Sequence, residues 1–242
     1  MGPSADILAY FLQKLNIWPI LTLIMKILAI ETSCDDTCIA IVQASPRRGS
    51  KVPRFHVLSN IVSSQTKIHR KYGGIVPSLA KRAHQENLVP VLEKALGEAK
   101  VLSNHESRVV NQEYQSRVKS IRKILEREPE LLEQFIKITI QTPKPKIDLI
   151  AVTHGPGLEP ALWAGINFAR ALSYWWGIPL LGVDHMEGHI AANFLPQQKA
   201  SKISNSKFLI SKPAFPAICL AVSGGHTQLI LVKDILKYKL LG

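Results

Sequence analysis

Apolar residues alternate or run together in short blocks at both ends of the region that begins at Met25. The stretch MKILAI leads into the polar turn ETSCDD and then TCIAIV, and Phe55 to Ile61 supplies a third apolar run. Blocks of this length rich in Ile and Val, bounded by turn residues, predict three strands in antiparallel succession at a sheet edge. After Tyr72-Gly73-Gly74 the spacing changes. Leu79, Ala83, Leu88, Val91, Leu92 and Leu96 recur at intervals of three and four, the mark of one buried helix face.

Residues 98 to 146 carry ten basic and seven acidic side chains around an apolar stripe of Ile121, Ile124, Leu125, Leu131, Leu132 and Phe135. Pro129 divides it, so an inserted helical hairpin is expected, with a charged flexible excursion as the alternative. Beyond Pro145, IDLIAVTHGPG reads as a strand closed by a Gly-Pro-Gly turn. EPALWAGINFARALSYWWGIP reads as a helix and LLGVD as a strand, with a further helix after it. Strand and helix in alternation predict an α/β fold with parallel strands, whose active sites collect at strand C-terminal ends.

After a Lys/Ser linker at 199 to 212, FPAICLAVSGGHTQLILVKD repeats the strand-turn-strand design of ILAIETSCDDTCIAIV. The repeat suggests two similar domains. The expected division is an extension at 1–24, a first α/β domain at 25–212 containing the insertion 98–146, and the start of a second domain at 213–242.

Composition narrows the picture. The 242 residues are 46% apolar and 20% charged, which supports a buried core. Thirty Lys and Arg against 18 Asp and Glu give a formal charge of +12, which favours a polyanionic partner. Cys34, Cys38 and Cys219 are too few and too irregular for a secreted disulfide scaffold or a thiolate metal site. Ile7 to Ile30 is apolar but interrupted by Lys14, Asn16, Pro19 and Lys26, so a membrane anchor is not expected.

Four clusters carry candidate chemistry. His185 and His189, four apart in DHMEGH, can put both rings on one helical face and share a divalent metal, with two satisfied surface or core histidines as the alternative. Glu187 does not directly follow His185, so the hydrolytic zinc pattern is absent. Gly224 and Gly225 in VSGGHT can let backbone N–H groups surround phosphate or carboxylate oxygens, with Ser223, His226 and Thr227 as further donors; a plain hairpin turn is the alternative. Glu31, Asp35 and Asp36 crowd one turn and must be exposed or balanced by metal or substrate cations; a tight turn satisfied by Thr32, Ser33 and the Asp residues is the alternative. Lys67, His69, Arg70, Lys71, Lys81 and Arg82 offer contacts to RNA phosphates or a solvated face.

Taken in order, IETSCDDT at 30–37, YGGIVPSLAKRAH at 72–84, HGPGL at 154–158, DHMEGH at 184–189 and VSGGHTQL at 222–229 resemble the tRNA N6-adenosine threonylcarbamoyltransferases. These were formerly described as O-sialoglycoprotein endopeptidase-like proteins. The resemblance covers Met25 to Gly97 and Ile147 to Gly242. It implies an actin-like, sugar-kinase and Hsp70 ATPase architecture of two ribonuclease-H-like domains. It also implies transfer of a threonylcarbamoyl group from threonylcarbamoyl-adenylate to N6 of the adenosine 3′ of the anticodon, in the cytoplasm.

By the same match, His185 and His189 are implied ligands of one divalent metal, iron or zinc. Ala221, Val222, Ser223, Gly224 and Gly225, with His226 adjoining, are implied to grip the adenylate. Asp35 is implied in the transfer, with Glu31 and Asp36 supporting it. Implied partners are tRNA, a TsaB-like paralogue as heterodimer and a TsaE-like ATPase that uses ATP. The family's later acidic segment and last metal-binding Asp are not in this sequence. The alternatives are therefore a non-catalytic fragment that binds tRNA or a partner, and an actin-like ATPase or kinase.

Overall fold

Strands β1 (Met25–Glu31), β2 (Asp36–Ser45) and β3 (Arg54–Ser64) form the antiparallel succession that the alternation predicts, each longer than the apolar run alone. The computed structural model describes residues 24–46, 54–102, 112–192, 215–222, 227–234 and 237–242. Residues 1–23 of the expected extension at 1–24, the linker at 199–212 and the turn residues Ser223, Gly224, Gly225 and His226 lie outside that set. Among the described residues no helix is long and apolar enough to cross a membrane.

A short helix α1 (Thr66–His69) runs into a 3-10 turn, Arg70–Tyr72, and then into α2 (Pro77–Ala99). Pro77 occupies the first turn of α2, where its missing N–H costs nothing. Helices α3 (Gln112–Ile124) and α4 (Pro129–Gln141) follow, then β4 (Leu149–Gly155), α5 (Glu159–Trp176), β5 (Leu180–Asp184) and α6 (His185–Ala192).

The first sheet runs in the order β3-β2-β1-β4-β5, with β1, β4 and β5 parallel and β2 reversed. This is the α/β arrangement that the pattern predicts, an antiparallel meander at one edge continued by parallel strands. Period-two alternation divides β1 between two cores. Leu28 and Ile30 pack under α2 and α5, while Ile27 and Ala29 join Ala151, Val183 and Ala191 on the opposite face.

The charged insertion is part of that first core, not an excursion. Ile121, Leu125, Leu131 and Phe135 are at most 1% exposed, and the Phe135 ring meets Phe168 of α5 edge to face at 6.0 Å. Glu128, fully buried just before α4, accepts from Asn167 Nδ2 at 3.1 Å and lies 3.7 Å from Lys81 Nζ. The other charged residues described in the segment are exposed.

The second sheet holds β6 (Ala217–Val222), β7 (Thr227–Asp234) and β8 (Lys237–Leu240) in antiparallel order. An opening hairpin alone was expected; the structure adds β8, so β6-β7-β8 repeats the β1-β2-β3 meander. Ile190 of α6 packs with Ile230 and Val232, which makes α6 the element that both sheets share. On the far face Ile218, Leu220 and Val222 stand 59%, 62% and 69% exposed, so this sheet carries a bare apolar side.

Candidate functional site

The C-terminal ends of the parallel strands β1, β4 and β5 place three polar segments side by side. β1 ends in Glu31 and the turn Thr32-Ser33-Cys34-Asp35. β4 ends in Gly155-Pro156-Gly157, and β5 runs straight into α6. Asp184 fixes that last junction, because its Oδ1 accepts from the backbone N–H groups of Met186 at 2.9 Å and Glu187 at 3.0 Å. This satisfies two of the open donors at the helix start and begins α6 at His185.

Two glycines let α5 come close. A Cβ on Gly157 would lie 2.5 Å from the Ser33 carbonyl oxygen, and one on Gly165 would collide with the Thr32 hydroxyl. With that space free, Leu158 N donates to Ser33 O at 2.8 Å and Thr32 Oγ1 donates to Ala161 O at 2.9 Å. The carboxylate turn is thereby held on the helix.

Glu31 is buried, at 2% exposure, and saturated with donors. Ser33 N–H bonds its Oε1, while Thr153 Oγ1 at 2.6 Å and His185 Nδ1 at 3.0 Å bond its Oε2. Burial alone would raise its pKa, but the hydrogen bonds and charge of His185, with Ser33 and Thr153, outweigh that and hold it below the usual carboxylate value. Glu31 is therefore an anion that only accepts, so Nδ1 of His185 carries the proton. His185 Nε2 then presents its lone pair, and it stands 3.0 Å from Nε2 of His189.

That geometry tests whether a metal fits. Two imidazole nitrogens that share an ion at about 2.0–2.1 Å need to converge to within a few ångströms, and these do. A carboxylate behind the first ligand is the usual device for fixing a metal-binding histidine. Loss of solvation, then the neighbouring His185, lowers the His189 pKa and favours the neutral, ligating ring. The described residues hold no cluster of three or more His, Cys, Asp or Glu.

The three carboxylates predicted together do not act as one group. Glu31 is balanced by a histidine, a hydroxyl and an amide rather than by a shared metal. Asp35 and Asp36 are half-buried. The Asp35 carbonyl accepts from Gln65 N at 2.9 Å, and its carboxylate lies beside the Cys34 thiol. Burial first, and then Asp35, pushes that thiol up to about 11, so Cys34 is no nucleophile at neutral pH. Asp36 Oδ1 is covered without a hydrogen-bond partner among the described residues. Ala221 and Val222 end β6. Burial pushes Glu187, on α6, up to about 7.

Sequence reasoning missed His84 and Gln65. His84, fully buried on α2, donates from Nε2 to the Cys34 carbonyl at 3.1 Å. Its Nδ1 accepts from Thr37 Oγ1 at 2.7 Å and from Gln65 Nε2 at 3.3 Å. Gln65 Oε1 in turn accepts from His69 Nε2 at 3.1 Å. The last residue of the YGGIVPSLAKRAH motif is thus a clamp on the carboxylate turn, and His69 faces inward instead of joining its cationic neighbours.

Burial lowers the His84 pKa, so the folded state is stable above the ordinary histidine value of about 6.5 and loses stability as pH falls below it. Replacing His84 with Gln keeps a donor for Cys34 and removes this titration. The variant is expected to cost about 1–2 kcal/mol near neutral pH. The gap should narrow in urea denaturation at about pH 5.5. A gap independent of pH contradicts a neutral buried ring.

The family model for tRNA N6-adenosine threonylcarbamoyltransferase matches residues 56–110 and 119–242. The relative of that name in Thermodesulfovibrio yellowstonii is 41% identical over 218 residues, covering 90% of this chain and 46% of its own length. The one in Thermomicrobium roseum is 38% identical, covering 90% of this chain and 44% of its own. The chain therefore spans about half the length of the curated relatives it matches. Among solved structures, YeaZ from Pseudomonas aeruginosa aligns over 66% of this chain and 44% of its own, at 16% identity and a TM-score of 0.34, too faint a likeness to support the fold.

Proposed function

Because this chain belongs to the tRNA N6-adenosine threonylcarbamoyltransferase family, we propose that it supplies part of a threonylcarbamoyl-transfer site. The reaction moves the threonylcarbamoyl group of threonylcarbamoyl-adenylate to N6 of the adenosine 3′ of the anticodon. The observation that carries this reading is the Glu31–His185–His189 array, one carboxylate orienting one of two converging imidazoles at the C-terminal edge of a parallel sheet.

His185 and His189 would hold the metal, iron or zinc, which when bound supplies a Lewis acid for phosphate or carbamoyl oxygens. Glu31 keeps the proton of His185 on Nδ1 and so keeps Nε2 available. Asp35, in the turn that His84 and Gln65 fasten, is the group we assign to orient the N6 amine and take its proton as the new N–C bond forms. The carbamoyl–oxygen bond to the adenylate phosphate then breaks, and the nucleotide leaves. Ala221, Val222, Ser223, Gly224 and Gly225, with His226 beside them, are the adenylate-binding segment in this reading. Asp36 and Glu31 support the turn.

In the same reading the two sheets open a first domain (25–212) and a second (213–242), and the protein acts in the cytoplasm with tRNA, a TsaB-like paralogue and a TsaE-like ATPase. Exchanging residues 25–242 for the matching half of the Thermodesulfovibrio yellowstonii protein tests it. With the adenylate, tRNA and partners present, mass spectrometry of digested tRNA is expected to show N6-threonylcarbamoyladenosine. A folded, metal-loaded chimera that leaves the tRNA unmodified sinks the proposal.

A further inference from the structure

Between Asp36 and Glu86 the chain has nine Lys or Arg and no Asp or Glu. Not all of these cations are available. Lys81 lies by Glu128, and Arg82 by Glu86 and Glu130. Lys67, Arg70 and Lys71 are exposed and form no ion pair with any described residue. Three cations in five residues with no local counter-charge repel one another until an anion arrives.

The same segment exposes apolar surface that a purely solvated basic face has no use for. Ile68 is 39% exposed, Tyr72 53% and Ile75 38%, and Lys71 Nζ lies 5.0 Å from the Tyr72 ring centroid. Its inner side is fixed. His69 is bonded to Gln65 Oε1 and accepts from Val76 N at 3.4 Å, Gln65 N bonds Asp35 O, and Gln65 reaches His84. The exposed ring is therefore mounted, through two residues of buried hydrogen bonds, on the turn that carries Asp35.

We propose that residues 67–75 form a docking surface for unpaired RNA, in which the Tyr72 ring stacks on an extruded base while Lys67, Arg70 and Lys71 hold the flanking phosphates. It rests on the reading of tRNA as substrate and specifies which surface meets its loop. Cations alone would suit any phosphate backbone. An exposed aromatic ring among them suits bases that are not already stacked in a helix. Anchorage to the Asp35 turn places the unpaired strand beside the group assigned to the N6 amine.

The test uses the full chain and two labelled probes, an RNA hairpin with a single-stranded loop and a blunt RNA duplex of equal charge, in fluorescence anisotropy. Tyr72→Ala is expected to weaken hairpin binding about tenfold or more and to leave duplex binding unchanged, and Tyr72→Phe to bind like the parent. Replacing Lys67 and Lys71 with Gln is expected to weaken both probes and to flatten the salt dependence by about two phosphate contacts. A 5-iodouridine in the loop should photocrosslink to Tyr72.

Hairpin binding that is unchanged in Tyr72→Ala overturns the stacking surface and leaves the tRNA reading standing. Equal weakening of hairpin and duplex by Tyr72→Ala overturns it too, since that is a plain cationic patch. Failure of the parent chain to bind either RNA removes the tRNA reading and this inference with it.

Discussion

His185→Ala is expected to abolish metal retention and also to destabilise the fold, whereas His189→Ala abolishes metal retention at little cost in stability. The difference comes from Glu31. In the parent its buried charge is met by His185 as well as by Ser33 and Thr153. Truncating His185 removes one of the donors to Glu31 and leaves a carboxylate that burial disfavours, at about 1–3 kcal/mol by the usual cost of leaving a buried charged acceptor short of a hydrogen bond. His189 sits at the solvent edge and leaves no such orphan.

A double variant separates the two roles. Glu31→Gln in the His185→Ala background removes the buried charge and should recover most of the lost stability in urea denaturation, with metal retention still absent by elemental analysis. Glu31→Gln alone should keep the histidines but weaken metal affinity about 10–100-fold, because the proton on His185 is no longer fixed to Nδ1. Equal stability losses from His185→Ala and His189→Ala would contradict this account.

How much of this was visible in the chain depends on the range of the interaction. His185 and His189 were legible because one helical turn makes them neighbours whatever the rest of the fold does. β1 and β2 were legible because alternation is local. The partnership of Glu31 with His185 spans 154 positions and arises only when β1, β4 and β5 align in parallel. Read locally, Glu31 was one of three crowded carboxylates. His84 was hidden for a related reason: its three partners lie on the 31–37 turn and at Gln65, so nothing in its own helix marks it.

β8 escaped because KYKL is only four residues long and owes its strand to backbone pairing with β7, with Tyr238 opposite Val232. Gly157 reads as part of an ordinary Gly-Pro-Gly turn, and nothing local singles out Gly165. What they do is leave space, and that shows only beside Ser33 and Thr32.

The insertion gives the second large expected effect, because composition and packing point in opposite directions there. Its seventeen charges favour a detachable excursion, and its stripe favours a core. Phe135→Ala decides between them. The ring is fully buried against Phe168, with Leu131 and Ile138 on the same face of α4. Emptying that site is expected to cost about 3–5 kcal/mol, a large part of a domain's net stability. Because α5 also carries Gly165, which gives the carboxylate turn room against the helix, metal affinity should fall with it. The exposed Lys137→Ala on the same helix is expected to change neither. A detachable hairpin would instead lose its own helicity in Phe135→Ala while the unfolding midpoint of the rest stayed in place.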